Sequence, residues 1–189
     1  MKLYGSFTSP YVRRLRILLG EHDYEFIDAP TSTSKGRALL SQVNPTMKIP
    51  MFEDEGKVLC DSGLIAQYLH DKLNLPALSY HDLNILKIID AITDSYIQLF
   101  LLSHSGFDTS ESKMYFNLQR ERIERSFSFL ENSITTGIIT SSNWNYMTIS
   151  LVTSIEWLMI RQLHDFSDLP ALSGFYNELK LRDDMLSTQ

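Results

Sequence analysis

The hydrophobic period of this chain changes once, near Leu75-Pro76-Ala77-Leu78-Ser79, and that change restricts it to folds built from two unlike halves. Before the break, short strand-like stretches alternate with helix-like ones, as in an α/β unit. Lys2–Ser6 reads as a strand, and Pro10–Gly20 as a helix with Val12, Leu15, Leu18 and Leu19 on one side. Ser9 suits the N-cap of that helix, Pro10 its first turn and Gly20 its stop. Tyr24–Asp28 fits a strand and Ser34–Gln42 a short helix. Pro50–Glu53 and Lys57–Cys60 flank a hairpin turn at Asp54-Glu55-Gly56. Ser62–Lys72 reads as a helix with Leu64, Ile65, Tyr68 and Leu69 turned inward. After the break the periods are long and helical. Ile85–Leu102, Ser110–Thr135, Asn145–His164 and Leu172–Leu181 are read as helices, with no clear strand among them.

Composition excludes several classes. With 43% hydrophobic and 21% charged residues, the chain has the makeup of a folded globular protein. A formal charge of −6 argues against a nucleic-acid partner. Arg13, Arg14 and Arg16 form a basic cluster, either a solvated helix face or an attraction for a small anion. The single cysteine, Cys60, precludes an internal disulfide or a multi-cysteine metal cage. It lies at a strand end on the side expected to be far from Ser9, and reads as a small buried apolar residue. The histidines show no ligand spacing, so no metal is expected. Lys87, Asp90, Asp94 and Gln98 step along one face of Ile85–Leu102, which makes it an amphipathic helix and leaves no membrane span. The opening Met1-Lys2-Leu3-Tyr4 lacks a signal-like run, so the expected location is cytoplasmic.

Three stretches carry chemistry. Ser9-Pro10-Tyr11-Val12 puts a hydroxyl at a helix start, where unpaired N–H groups and the helix dipole favour an anion such as a thiolate. Ser6 and Thr8 in the same loop are the nearest competitors, and Tyr4 is a phenolic alternative whose other role is packing. Asn44-Pro45-Thr46-Met47-Lys48-Ile49-Pro50 holds a backbone edge between two prolines. Asp61-Ser62 pairs an acid with a hydroxyl just before a helix, where each also serves as an ordinary cap.

Together these stretches resemble the glutathione transferases. The order β-α-β-α-β-β-α is that of a thioredoxin-like N-terminal domain, expected over residues 1–75. An all-α C-terminal domain is expected over 82–189. The resemblance implies an enzyme that binds glutathione as co-substrate and activates its thiol for conjugation to a small hydrophobic electrophile. It has no other cofactor, and a homodimer is the expected assembly. Ser9 takes the place of the attacking cysteine of glutaredoxins and is the implied catalytic residue. Lys48, Ile49, Pro50, Asp61 and Ser62 are the implied glutathione-binding residues. Pro50 would follow a cis bond and present the Ile49 backbone to the tripeptide. Asp61 would meet the γ-glutamyl ammonium and Ser62 its carboxylate. Met47 departs from the usual glycine. In the second half, Asn145-Tyr146-Met147-Thr148 stands where the family has Ser/Thr-x-x-Asp, and Thr148→Asp is expected to gain stability from the added charge. A rival reading of the whole chain is a non-catalytic module of the same fold that binds proteins.

Overall fold

A computed structural model describes residues 1–188. Its elements are β1 (Lys2–Gly5), α1 (Pro10–Leu19), β2 (Glu25–Asp28), α2 (Ser34–Val43), β3 (Met51–Asp54), β4 (Lys57–Cys60) and α3 (Ser62–Lys72). These are followed by α4 (Tyr80–His104), α5 (Met114–Thr135), α6 (Tyr146–Ile160), α7 (Pro170–Leu179) and α8 (Asp183–Leu186). The fold is a thioredoxin-like sheet-and-helix unit followed by a helical one. No helix among the described residues is long and apolar enough to cross a membrane.

One compact unit comprises residues 1–77 together with 181–188, and the other residues 78–180. The expected second domain ran to 189, so the last stretch changes sides. The reason is polar. Arg13 donates from Nη2 to the Met185 carbonyl at 2.9 Å and from Nε to Thr188 Oγ1 at 3.3 Å, while Arg16 donates to the Thr188 carbonyl at 2.7 Å. Two arginines of α1 thus clamp a segment that is remote in sequence.

In the first unit the strand order is β2-β1-β3-β4, with β1 parallel to β2 and antiparallel to β3. Tyr4 and Met51 on one face pack with Ala29 and Leu40, which brings α2 there. On the other face Phe52 meets Tyr68 of α3, and α3 packs on α1. Gly5 allows α1 to close onto the sheet: a Cβ there would lie 2.5 Å from a Val12 methyl. The α3 stripe runs through Ile65, Ala66 and Leu69, whereas Leu64, expected to face inward, is exposed.

The β3–β4 hairpin closes on Glu55 and Gly56, whose φ of 50° and 76° suit a two-residue turn that follows the strand twist. Asp54, buried at its base, accepts from Tyr68 Oη at 2.7 Å and from Lys72 Nζ. Burial alone would push the Asp54 carboxyl up. The bonds from Lys72 and Tyr68 outweigh it and hold the group below the ordinary carboxylate range.

The second unit is built around α6, buried from Tyr146 to Glu156, with α4 and α7 packed against it. Both α6 and α7 are capped by side chains. Asn145 Oδ1 accepts from the Met147 and Thr148 N–H groups at 3.0 and 3.1 Å. In return Thr148 Oγ1 accepts from the Asn145 N–H at 2.9 Å and donates to the Asn143 carbonyl at 2.8 Å. The α7 start has no cap of its own, and Glu131 of α5 supplies one, accepting from the Ala171 and Leu172 N–H groups at 2.7 and 2.9 Å. These bonds correct the expectation for position 148. An aspartate would add charge at the helix start but could not donate to Asn143 from this fully buried position.

Thr148→Val, nearly isosteric, is therefore expected to lower stability by about 1–3 kcal/mol in thermal or denaturant melts, because it strands both partners. The hairpin gives a pH-dependent counterpart. A carboxyl whose folded pKa is depressed contributes stability above its unfolded value and loses it as pH falls through the folded one. Asp54→Asn should melt below wild type at neutral pH, and melts in progressively more acidic buffer should show that gap closing.

Candidate functional site

The sheet register brings the three chemical stretches to one place. Tyr4 pairs with Met51, and Met51 with Cys60, forming one row across three strands. Because β3 runs opposite to β1 and β4, the residues after Tyr4, before Met51 and after Cys60 all leave the sheet at the same end. Neighbouring strands lie ~4.8 Å apart, so the row is only about 10 Å wide. Ser9 lies beyond the end of β1, Ile49-Pro50 just before β3, and Asp61-Ser62 just after β4. A direct bond ties α1 to α3 here: Arg14 Nη2 donates to Ser62 Oγ at 2.6 Å.

Ser9 is the N-cap of α1 and half-buried, with its Oγ accepting from the Val12 N–H at a long 3.4 Å. An oxygen that accepts in the cap still carries a proton to donate. The competing hydroxyls of Ser6 and Thr8 are engaged with each other at 3.1 Å. Tyr4 is directed elsewhere. It donates to Glu53 Oε2 at 2.9 Å, and burial followed by that carboxylate pushes the phenol up to about 12. At neutral pH it is no source of phenolate.

The Asn44–Pro50 loop is organised from within. Buried Asn44 donates from Nδ2 to the Lys48 carbonyl at 2.7 Å, and its Oδ1 accepts from the Thr46 N–H and hydroxyl at 2.9 and 2.8 Å. Met47 holds φ at 55°, the left-handed geometry that makes glycine the easier residue at this position. The Ile49–Pro50 bond is cis, as the resemblance implied. Among the described residues nothing pairs with the Ile49 backbone N–H or carbonyl. The Lys48 side chain is exposed and Pro50 is buried.

Asp61 is the most constrained residue of the group. Its φ of 95° is rare for any residue with a Cβ. Its Oδ1 accepts from the Gly63 and Leu64 N–H groups at 2.8 and 3.2 Å, capping α3, while the side chain stays exposed. One carboxylate oxygen thus stabilises the helix start, and the other takes no part in that cap. Backbone held in so sparse a region is characteristic of functional sites.

One expectation holds and one changes. Cys60 ends its strand in the same row as Met51, but its side chain packs with Met51 on the α2 face of the sheet, the far side from α1 and Ser9. It is half-buried, and burial pushes its thiol up, so it is not an activated nucleophile. The arginines are neither a solvated face nor a set poised for one anion. Arg13 and Arg14 are 8% and 2% exposed and engaged within the protein, and Arg16 stacks over Phe7 and Phe26. The cluster was legible in the sequence; its burial was not, since arginines at three of four consecutive positions ordinarily mark a wet face. Asn44 was likewise missed as an organiser. Among the described residues no group of three or more His, Cys, Asp or Glu side chains is gathered where it could hold a metal ion.

A thioredoxin-like unit with an acid–hydroxyl pair and a cis-proline loop at one sheet end, followed by a helical unit, defines a class, and comparison with known proteins agrees. Residues 3–77 match the family model described as glutathione S-transferase, N-terminal domain. An uncharacterised GST-like protein of Escherichia coli (strain K12), YibF, is 33% identical over 175 residues, covering 86% of this chain and 84% of that protein. Glutathione S-transferase U17 of Arabidopsis thaliana is 25% identical, covering 86% of this chain and 75% of its own length. Among solved structures, a glutathione transferase family member from Pseudomonas fluorescens Pf-5, with bound glutathione, superposes with a TM-score of 0.85 at 27% identity. That match covers 100% of this chain and 98% of the other. This chain belongs to the glutathione S-transferase family.

The geometry at Asp61 makes a stability prediction that is independent of ligand. Asp61→Ala keeps the strained φ and loses the cap, whereas Asp61→Gly loses the cap but relieves the strain. Denaturant melts should find the glycine variant the more stable of the two by about 1 kcal/mol.

Proposed function

We propose that this protein is a glutathione transferase with Ser9 as its catalytic hydroxyl. The observation that supports it most is the shared strand row, which leaves Ser9, Ile49-Pro50 and Asp61-Ser62 at one end of the sheet. Glutathione would run along that end. The Asp61 oxygen that takes no part in the cap meets the γ-glutamyl ammonium, and Ser62 with the α3 start holds the adjoining carboxylate. The Ile49 backbone pairs with the cysteinyl residue as an added strand would, with Pro50 fixing the loop. Lys48 faces a carboxylate of the tripeptide. The glutathione bound to the Pseudomonas fluorescens relative supports glutathione as the ligand.

At the thiol end, the α1 dipole and the Ser9 proton stabilise sulfur as the anion. The released proton passes to solvent, and the thiolate attacks a small hydrophobic electrophile. Magnitudes set the share of this step. A thiol of pKa ~8.5 is about 3% ionised at neutral pH, and a charge-assisted bond of ~1.5–3 kcal/mol lowers that pKa by roughly one to two units. Ionisation alone therefore contributes at most about twenty-five-fold, and alignment of the electrophile supplies the rest. A homodimer in the cytoplasm is the assembly and location that go with this reading.

Calorimetric titration with glutathione should give binding for wild type and a loss of at least about tenfold for Asp61→Ala. Absence of heat for wild type at millimolar ligand would replace this reading with that of a non-catalytic protein-binding module. With a generic aryl halide, Ser9→Ala should lower kcat/KM at neutral pH by roughly ten- to twenty-five-fold. The deficit should shrink in alkaline buffer, where the free thiol ionises unaided. Unchanged turnover in Ser9→Ala would remove that residue from the mechanism.

A further inference from the structure

The residue two places before Ser9 is a phenylalanine at the corner of a tight turn, where polar side chains are the rule. Ser9 donates its backbone N–H to the Ser6 carbonyl at 3.1 Å, closing residues 6–9 into that turn with Phe7 and Thr8 at its corners. The Ser6 and Thr8 hydroxyls bond each other within the turn, so they set its shape and not its place on the sheet. Phe7 supplies an anchor. Although 52% exposed, its ring lies 4.6 Å from that of Phe26, centroid to centroid, and its centroid lies 4.9 Å from the Arg16 guanidinium carbon. Both supports are themselves held. Phe26 pairs with Leu3 in the β1–β2 register. Arg16 also covers the Phe26 ring and donates to the Thr188 carbonyl at 2.7 Å.

We propose that Phe7 is a positioning residue for the Ser9 hydroxyl, held in place by Arg16 and, through Arg16, by the segment around α8. This inference rests on the reading of Ser9 given above and extends it to residues that do not touch the glutathione sulfur in that reading. An N-cap hydroxyl is directed by its own backbone, and here that backbone closes the turn. While the Phe7 ring sits on Phe26 and against Arg16, the turn has one position and the hydroxyl one direction. Without the ring, an exposed turn samples other positions, and the sulfur meets a correctly aimed hydroxyl for only part of the time. Aromatic and cation–π contacts of this kind each bias such an equilibrium by about two- to twelvefold. Because Phe7 acts through Ser9, its effect is bounded by that of removing the hydroxyl itself.

The test follows the ionisation of bound glutathione across pH by the ultraviolet absorbance of its thiolate. Calorimetry with S-methylglutathione, which has no ionisable thiol, reports docking of the tripeptide separately. Phe7→Ala should lower the thiolate fraction at neutral pH by about three- to tenfold, with S-methylglutathione affinity held within about twofold. Phe7→Tyr keeps the ring and should titrate as wild type does. Arg16→Gln should shift the titration in the same direction as Phe7→Ala, and add less than about twofold when combined with it. In a Ser9→Ala background, Phe7→Ala should change nothing further, since its route to the sulfur is gone. The inference is overturned if Phe7→Ala or Arg16→Gln titrates as wild type, or if the Phe7→Ala loss persists undiminished in Ser9→Ala. It is overturned equally if S-methylglutathione affinity falls in step, which would mark a general loosening of the fold. If Arg16→Gln lacks a cooperative melt, the comparison of Phe7→Ala with Phe7→Tyr decides. Ser9→Ala that titrates as wild type, or wild type that binds neither glutathione nor its S-methyl form, overturns the underlying reading as well. That outcome is distinct from a Ser9 effect that Phe7 does not share.

Discussion

The antiparallel register of β3 against both β1 and β4 is the constraint on which the rest depends. A slip of one residue would turn Tyr4 and Met51 away from Leu40 and Ala29, and would exchange the faces presented to α2 and to α1 with α3. The same register decides which loops meet. Because Met51 pairs with both Tyr4 and Cys60, chain segments that are distant in sequence leave the sheet at one end. The buried hairpin base at Asp54, held by Tyr68 and Lys72 of α3, fixes the other end of that pairing. Packing and chemistry are thus specified by one set of strand contacts.

The second organising element is the distribution of positive charge on α1. Three arginines within four positions divide two tasks: Arg13 and Arg16 hold the carbonyl-rich segment around α8, and Arg14 holds Ser62. The aromatic rings of Tyr11, Phe7 and Phe26 lie against two of these guanidinium groups and cover part of their apolar faces. Such a helix is amphipathic in an uncommon sense. Its buried side carries charge, and the cost of burial is offset by fixed partners instead of water.

Most of the architecture was legible in the sequence, and for identifiable reasons. Caps and stops at Ser9, Pro10 and Gly20, the Glu55-Gly56 turn and the alternation before Leu75 are local signals, and local signals survive folding. The cis bond before Pro50 and the grouping of Asp61 with Ser62 were legible only through family resemblance, because nothing local requires them. What escaped was long-range. The attachment of 181–188 to α1 and the burial of Arg14 each depend on a partner far along the chain. Thr148 shows the same limit at short range. Its type suggested a missing charge, whereas its value lies in a hydroxyl that donates and accepts at once.

The arginine clamp on residues 181–188 bears on how the molecule is made. Bonds such as Arg13 to Met185 close loops of more than a hundred and seventy residues, so the first unit is discontinuous in sequence. During synthesis its sheet and helices emerge early, yet the carbonyl partners of Arg13 and Arg16 follow only some hundred and seventy residues later. The N-terminal unit is therefore completed by a segment made after the whole helical unit.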